Sequence, residues 1–483
     1  MTVATLEAAP AETTQPADRR RWLILFTILA AEVMDLLDGT IVNVAGPSIR
    51  ESLGASMSAL QWVMGGYALA FAIGLVTGGR LGDIYGRKRL FLIGVAGFTI
   101  SSAACGLASS PAQLIIFRLV QGVFAASMIP QGFGIVREVF PPNELGKAFG
   151  LFGPVIGGSA ILGPVLGGIL VDADLFGAGW RTIFLVNVPL GIAAFIASAR
   201  LFPESKASNA PTLDVVGAVL VSGVAGLSIY ALIEGPEADW PWWTFAMLAA
   251  SAVLLVAFVF WERARERSGA SPLVPMRLFR TREFSAGLVS VITFFSGLVG
   301  VTFILGLFLQ VGQHFSAIKT GLVMIPWALG TAIGAGVSAG ALAPRFGRKV
   351  LHGGILVLMA GVGGLLLVAL NAPADSLPVS WLIVPELLCG LGMGAVISPL
   401  FNFILSGVKS DEVGSASGVL NAVQQLGGAT GIATIGTIFF AAIRVSGFRV
   451  AFERAMYVEF VLLFACLLTM SLLPAKLRAD QAH

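Results

Sequence analysis

The stretch Gly79-Arg80-Leu81-Gly82-Asp83-Ile84-Tyr85-Gly86-Arg87-Lys88-Arg89 packs four cations, one carboxylate and three glycines between two long apolar runs. Such a segment cannot lie in hydrocarbon. The flanking runs therefore read as helices that cross a bilayer, joined by a tight loop at its surface. The positive-inside rule turns the loop's basic residues toward the cytoplasm and so fixes one end of the map.

The pattern returns in weaker form about 260 residues later, as Gly340-Ala341-Leu342-Ala343-Pro344-Arg345-Phe346-Gly347-Arg348-Lys349. At roughly 30 residues per helix plus loop this is about eight crossings, an even number that brings the chain back to the same side. Six-helix halves in parallel duplication then leave about two extra helices between them, and about fourteen spans in all. Hydrophobic residues make up 56% of the chain and charged ones only 12%, which is outside the range of soluble domains. The predicted fold class is an all-α polytopic membrane protein. Its expected parts are a tail over 1–21, a first six-helix bundle over 22–201, a linker with two extra helices and a basic loop over 202–283, a second bundle over 284–474 and a tail over 475–483. Spans are expected at 22–46, 58–79, 89–108, 112–136, 147–171, 182–201, 213–233, 242–261, 285–309, 319–341, 350–370, 379–407, 415–441 and 456–474. Alternating them from a cytoplasmic N-terminus puts most Lys and Arg inside and both termini in the cytoplasm, in a cell inner membrane. Arg444, Arg449 and Arg454 fall on the wrong side, as an amphipathic surface helix would explain.

A net charge of +3 spread over short loops forms no face for nucleic acid. Cys105, Cys389 and Cys466 sit singly in apolar runs and read as packing residues, and the three histidines are too scattered for a metal site. No phosphate-binding Gly-rich loop followed by Lys-Ser/Thr occurs, which leaves an ion gradient as the energy source for any pumping. No cofactor, no metal and no enzymatic constellation are expected.

A charge at the bilayer centre costs about 2.5–3.5 kcal/mol on insertion scales, so each ionisable residue in a span is a functional candidate. The first span carries Glu32, Asp35 and Asp38, spread over about 120° of one helix face, with Asn43 on the same side. The fourth span carries Arg118 with Gln121 one turn on. An arginine stays charged and needs an anion nearby, and the first-span acids are its natural partners. Pairing favours a charged carboxyl and burial a neutral one; a proton-loading couple and a permanent ion pair fastening two helices both fit. Glu386 is a further acid that either faces a cavity or lies near the outer interface. The fifth span holds Gly163-Pro164-Val165-Leu166-Gly167-Gly168, small residues that admit close helix contact beside a proline that bends the helix. Asn421, Gln425, Gly427 and Gly428 form its counterpart, with the paired glycines again about 260 residues apart. The segment from Trp261 to Glu283 is rich in arginine and reads as a solvated linker or an anionic-lipid contact.

Gly79 to Arg89, Arg118-Leu119-Val120-Gln121-Gly122, Gly163-Pro164 with Gly167-Gly168, and Leu37-Asp38-Gly39-Thr40-Ile41-Val42-Asn43 together resemble the signatures of the major facilitator superfamily. Within it the chain resembles the fourteen-helix drug:proton antiporter branch, from Trp22 to Leu473. The resemblance implies alternating access between two bundles and no use of ATP. It implies proton coupling through Asp38, Asp35, Glu32 and Arg118, and a gate helix at Gly163, Pro164, Gly167 and Gly168. It also implies a latch of Gly79, Asp83, Gly86, Arg87 and Lys88, in which Asp83 docks on the helix start near Gly414 to Ser417. Asn43, Gln121 and Glu386 would line the substrate cavity. The second loop copy departs from the pattern, with Ala343-Pro344 where an acid would parallel Asp83. The expected function is proton-driven export of amphipathic drugs or toxic compounds, with small molecules, protons and lipid as partners. The alternatives are export of a self-made product and a non-transporting membrane sensor.

Overall fold

A computed structural model describes residues 18–141, 144–145, 148, 151–204, 213–235, 238–270, 272–371, 377–405, 408 and 413–475, and among these no strand occurs. The helices are α1 (Asp18–Leu53), α2 (Met57–Tyr85), α3 (Arg87–Gly106), α4 (Pro111–Val139), α5 (Phe152–Asp172), α6 (Asn187–Leu201), α7 (Val215–Glu234) and α8 (Trp242–Arg267). They continue with α9 (Arg282–Leu307), α10 (Ala317–Val323), α11 (Ile325–Val337), α12 (Lys349–Asn371), α13 (Ser380–Leu405) and α14 (Val413–Met470). Eleven helices of the described residues are long and apolar enough to cross a membrane. These coincide with expected spans. The other three expected spans run through α1, whose acids lower its hydropathy, through α5, where only Leu162–Asp172 registers as a short apolar helix, and through the last part of α14.

Caps set where the helices begin. Ser56 accepts from the Ala59 N–H at 3.1 Å, Ser110 from Gln113 at 3.3 Å with Pro111 just inside α4, and Ser316 from Lys319 at 3.2 Å. Each satisfies an amide that the first helical turn leaves free.

Three local expectations are corrected. The charged stretch at 79–89 is no open loop: α2 runs on to Tyr85 and α3 starts at Arg87, with Gly86 at φ +102° as the whole joint. Only glycine enters that region without strain, so one residue reverses the chain. Gly347, at φ +57°, is the joint of the second copy. The outer surface helix expected around Arg444 to Arg454 is also absent as a separate element. α14 runs through this region with one break, at Gly447 with φ +79°, and Arg449 pairs with Glu453 along the helix at 3.5 Å. The first tail ends earlier than 21, because α1 begins at Asp18 and takes in the three arginines.

The linker is docked. Asp214 caps α7 by accepting from the Gly217 N–H at 2.8 Å, receives the Trp261 indole N–H at 3.0 Å and pairs with Arg265 at 3.1 Å. Glu262 accepts from the Val274 N–H at 3.1 Å, and Arg80 at the end of α2 donates to the carbonyls of Leu273, at 3.1 Å, and Pro272. Leu273, Val274 and Leu278 are buried. A purely solvated linker is thereby ruled out, although Arg263, Arg267, Arg277 and Arg280 remain exposed.

Burial pushes the Asp214 carboxyl up, but the Gly217 amide, the Trp261 indole, Glu262 and the Arg265 charge hold it below the ordinary value of 3.8. A depressed carboxyl contributes stability above its unfolded value and loses it as the pH falls through the folded one. Asp214→Ala is therefore expected to lower stability by about 1–3 kcal/mol near neutral pH, through the lost cap and ion pair. The gap from wild type should close only below about pH 4, as thermal unfolding in detergent at stepped pH will show.

Candidate functional site

Close helix approach builds the site. On α2, Gly74 and Gly78 face α4 so tightly that a Cβ on Gly78 would collide with the Ala126 carbonyl, and Gly122 on α4 rests on the Tyr67 backbone. Small residues spaced by four permit this. The approach brings the Val63 carbonyl of α2 to Arg118 of α4, whose Nε donates to it at 3.0 Å. Arg118 Nη1 pairs with Asp38 of α1 and donates to Gln121 Oε1 at 2.8 Å. The guanidinium lies 4.2 Å from the Tyr67 ring centre and 5.7 Å from that of Phe184.

Asp38 is fully buried, and every oxygen has a donor. Besides Arg118 on Oδ2, its Oδ1 accepts from Gln121 Nε2 at 2.9 Å and from Asn187 Nδ2 of α6 at 2.9 Å. Asn187 is held in turn by Ser102 of α3 at 3.1 Å, and Ser102 donates to the Phe184 carbonyl at 2.9 Å. Three helices, α1, α4 and α6, therefore meet on one carboxylate, with α3 behind them. Asp35, one turn away, accepts from the Tyr67 hydroxyl, which connects it to the Arg118 cation through the same ring. Glu32, a further turn along, is nearly buried, and its Oε1 has no hydrogen-bond partner. The three acids thus form a column of about 9 Å along α1, graded from fully satisfied to unsatisfied.

The structure brings Asp38, Arg118 and Gln121 together but places Gln121 inside the ion-pair network, fully buried, and not on a cavity wall. Asn43 is half-buried, with its backbone near Gly306 of α9. Glu386 is enclosed instead of bordering a cavity, at 0% exposure. The reason is its helix, which packs through Gly390 and Gly394 on α11 and through Gly392 on α12. Asp83 accepts from Arg87 at 2.9 Å, and Arg87 also reaches Glu138 at 3.9 Å and donates to the Gly134 carbonyl at 3.2 Å. Its expected dock, Gly414 to Ser417, is in the first turn of α14, and the side chains of Ser415 and Ser417 there lie outside what is described. Asn187, Tyr67 and Ser102 escape the sequence reading. Asn187 within an apolar run and Tyr67 as one of four tyrosines were the available signals.

The glycine motifs pack helices within each half, and Gly168 carries the packing across to the other half. On α5, Gly163 and Gly167 rest on Thr40 and Ile41 of α1, whereas Gly168 rests on Ala317 and Ile318 of α10, and Gly321 of α10 on Pro164. The Ile318 N–H donates to Asp172 at 2.9 Å, and Gln310 reaches the Val44 carbonyl at 2.8 Å. α14 repeats the scheme. Gly427 and Gly431 rest on α9, where Ser296 donates to the Gly427 carbonyl at 2.9 Å, and Ile432 and Gly436 meet Gln61 of α2. Gly428 packs on Val299, and Gln425 and Asn421 are half-buried one and two turns earlier. These contacts lie toward the end of the molecule opposite the basic joint at Gly86, and so this far end is closed around the halves. A recess of about 600 Å³ beyond it is lined by Pro47, Arg50, Glu51, Gln310 and His314, and none of Glu32, Asp35 and Asp38 borders it.

The family profile described as Major Facilitator Superfamily matches residues 28–217 and 212–432. The chain is 48% identical over 426 residues to a Streptomyces coelicolor protein described as a probable actinorhodin transporter, covering 88% of this chain and 73% of that one. It is 35% identical over 424 residues to the tetracenomycin C resistance and export protein of Streptomyces glaucescens, covering 87% and 76%. It is 34% identical over 436 residues to a puromycin resistance protein of Streptomyces alboniger, covering 90% and 85%. An auto-inhibited POT family peptide transporter shares the fold, with a TM-score of 0.66 at 16% identity over 94% of this chain and 95% of that one. The chain belongs to the Major Facilitator Superfamily.

Proposed function

We propose that the protein exports amphipathic small molecules in exchange for protons by alternating access, as a multi-pass protein of the cytoplasmic membrane with its basic end inside. Two six-helix halves, 22–201 and 284–474, move against each other, and 202–283 joins them. The observation that carries this reading is the column of acids on α1, headed by the buried Asp38–Arg118 pair. A permanent strut needs one acid for one arginine, whereas three acids to one cation leave carboxyls that can exchange a proton for a substrate. Asp35 and Glu32 lie toward the basic end, where substrate enters from the cytoplasm or inner leaflet. Asp38 holds the guanidinium in place, and its protonation on the opposite side frees Arg118 to re-pair with Asp35. No step requires a cofactor or a covalent intermediate.

The test uses acid-loaded proteoliposomes of known orientation and a pH dye. Adding a transported compound should release protons from vesicles with the protein and not from empty ones. Silence across lipophilic cations and neutral and acidic natural products, with folded protein confirmed, would reject proton antiport. A dedicated exporter of a single product is the second reading. It is favoured by relatives named for actinorhodin and for tetracenomycin C, and a response confined to one compound would select it.

The closed far end supplies a further prediction. Gly168→Leu places a side chain against the backbone at Ala317–Ile318. Overpacking of about 1–3 kcal/mol would shift the equilibrium about ten- to a hundredfold toward a state open at that end. Efflux should fall by at least about tenfold. An Asn43→Cys reporter should react faster with an impermeant thiol reagent from the far side. The native cysteines are buried and give little background.

A further inference from the structure

Two acids in the second half take no part in the α1 column. Glu386 lies on α13 and Glu459 on the second arm of α14, both at 0% exposure. All four of their carboxyl oxygens lack a hydrogen-bond partner. Both flank the same stretch of α12: Cys389, one turn along from Glu386, lies against Gly361, and Phe460, next to Glu459, lies near Gly363. α9 makes room for Glu459: a Cβ on Gly297 would meet both of its carboxyl oxygens. The two acids and the thiol thus make a polar region, edged by the bare glycine at Glu459, inside an otherwise apolar core.

No cation faces this spot from any neighbouring helix among the described residues. α9, α11 and α12 contribute no titratable side chain there. Arg282 and Glu283 of α9 and Lys349 and His352 of α12 sit at the basic end, where His352 is bonded to Ser471. On α14 the nearest are Cys466, bonded to the Ser290 carbonyl, and Arg454 and Tyr457, which are exposed. The α9 hydroxyls are committed elsewhere: Ser290 to Thr469 at 2.7 Å, Thr293 to the Val289 carbonyl at 2.8 Å, and Ser296 to the Gly427 carbonyl at 2.9 Å. An ionised carboxylate with neither donor nor counter-charge is far less stable in an apolar interior than a neutral one. Buried unpartnered polar groups are also rare enough to require a specific cause.

We propose that Glu386 and Glu459 form a second proton-binding site, separate from the Asp38–Arg118 network and loaded in the conformation with a closed far end. Glu386 lies about 9 Å from the far-end start of α13, and Glu459 about 18 Å from the Gly447 break in α14. The pair is thus staged in depth. Each carboxyl takes a proton on its bare oxygen and releases it to water when the second half repacks. The number of protons exchanged per substrate then exceeds what the α1 acids supply. This rests on the antiport reading for its role in transport, but not for its occupancy.

The test is infrared difference spectroscopy of the full-length protein in lipid, with Glu386→Gln, Glu459→Gln and the double variant. Glutamine matches the shape of a protonated glutamate, so the fold is kept, and thermal unfolding checks it. At neutral pH each single variant should lose one C=O stretch of a protonated carboxyl in apolar surroundings, and the double variant both. On a jump to alkaline pH the singles should release one fewer proton per chain and the double two fewer. Unchanged bands and unchanged proton release overturn the site, as does a band that responds to sodium and not to pH. Loss of the bands in a protein with no compound-dependent proton flux would keep the site and overturn the antiport reading. Flux with unchanged bands would do the reverse.

Discussion

Arg118→Ala is expected to abolish coupled efflux and to destabilise the protein by about 3–5 kcal/mol, the usual consequence of stripping one partner from a buried ion pair. Asp38 would keep its two amide donors, Gln121 and Asn187, but lose the only full positive charge on it. The Val63 carbonyl would lose its donor, and Tyr67 and Phe184 the cation against their faces. Arg118→Lys restores the charge but not the guanidinium's separate bonds to Val63, Gln121 and Asp38. Its stability should lie between the two, with transport still at least about tenfold down. Thermal unfolding in lipid and dye-reported proton flux measure both effects. An alanine variant that unfolds at the wild-type temperature would show that the pair is not the fastener described here.

Asp38→Asn separates coupling from folding. Asparagine keeps the shape and can still accept from Arg118, and the cation has Asp35 one turn away, so the stability loss should be only about 1–3 kcal/mol. Proton-coupled efflux should nevertheless fall about a hundredfold, because the head of the acid column can no longer change charge. Full coupled efflux in this variant would move the role to Asp35 or Glu32. The single variants Asp35→Asn and Glu32→Gln then rank the three acids.

The parts of this site visible from residues alone were those whose placement in hydrocarbon demanded a reason. Arg118 and Asp38 are each costly in an apolar run, so each pointed to the other across 80 residues of chain. Asn187 and Tyr67 were hidden because an uncharged polar side chain in a span is cheap enough to be ordinary. The α1 acids were legible as one face, but their grading from satisfied to bare was not, since it depends on which partners α2, α4 and α6 bring. Glu386 could not be assigned to a wall or an interior, because a helix apolar all round gives no period from which to read its buried face. Glu459 passed without notice in the last apolar run for the same reason. From sequence the joint at Gly86 reads as a loop, because charge density reports the membrane surface, not backbone continuity.

Two seams join the first and second parts of the chain: α5 meets α10 at Gly168 and Gly321, and α14 meets α2 at Gly436, Gly65 and Gln61. The extra helices make them unequal. α7 lies across the second seam: Ile229 and Ile233 cluster with Leu69, Ala429 and Ala433, Thr437 donates to the Leu232 carbonyl at 2.7 Å, and Trp62 donates to Glu234 at 2.8 Å. Its other end is rooted through Asp214, Arg265 and the 272–274 backbone in the neighbourhood of Arg80. If the halves move as proposed, a compound dissolved in the bilayer would meet two different doors. One is covered by α7, which is bonded to Trp62 on the first half and to Thr437 on the second, and sideways entry from lipid would be left to the other, beside α5. A transporter built of two halves would in this way have acquired a front and a back.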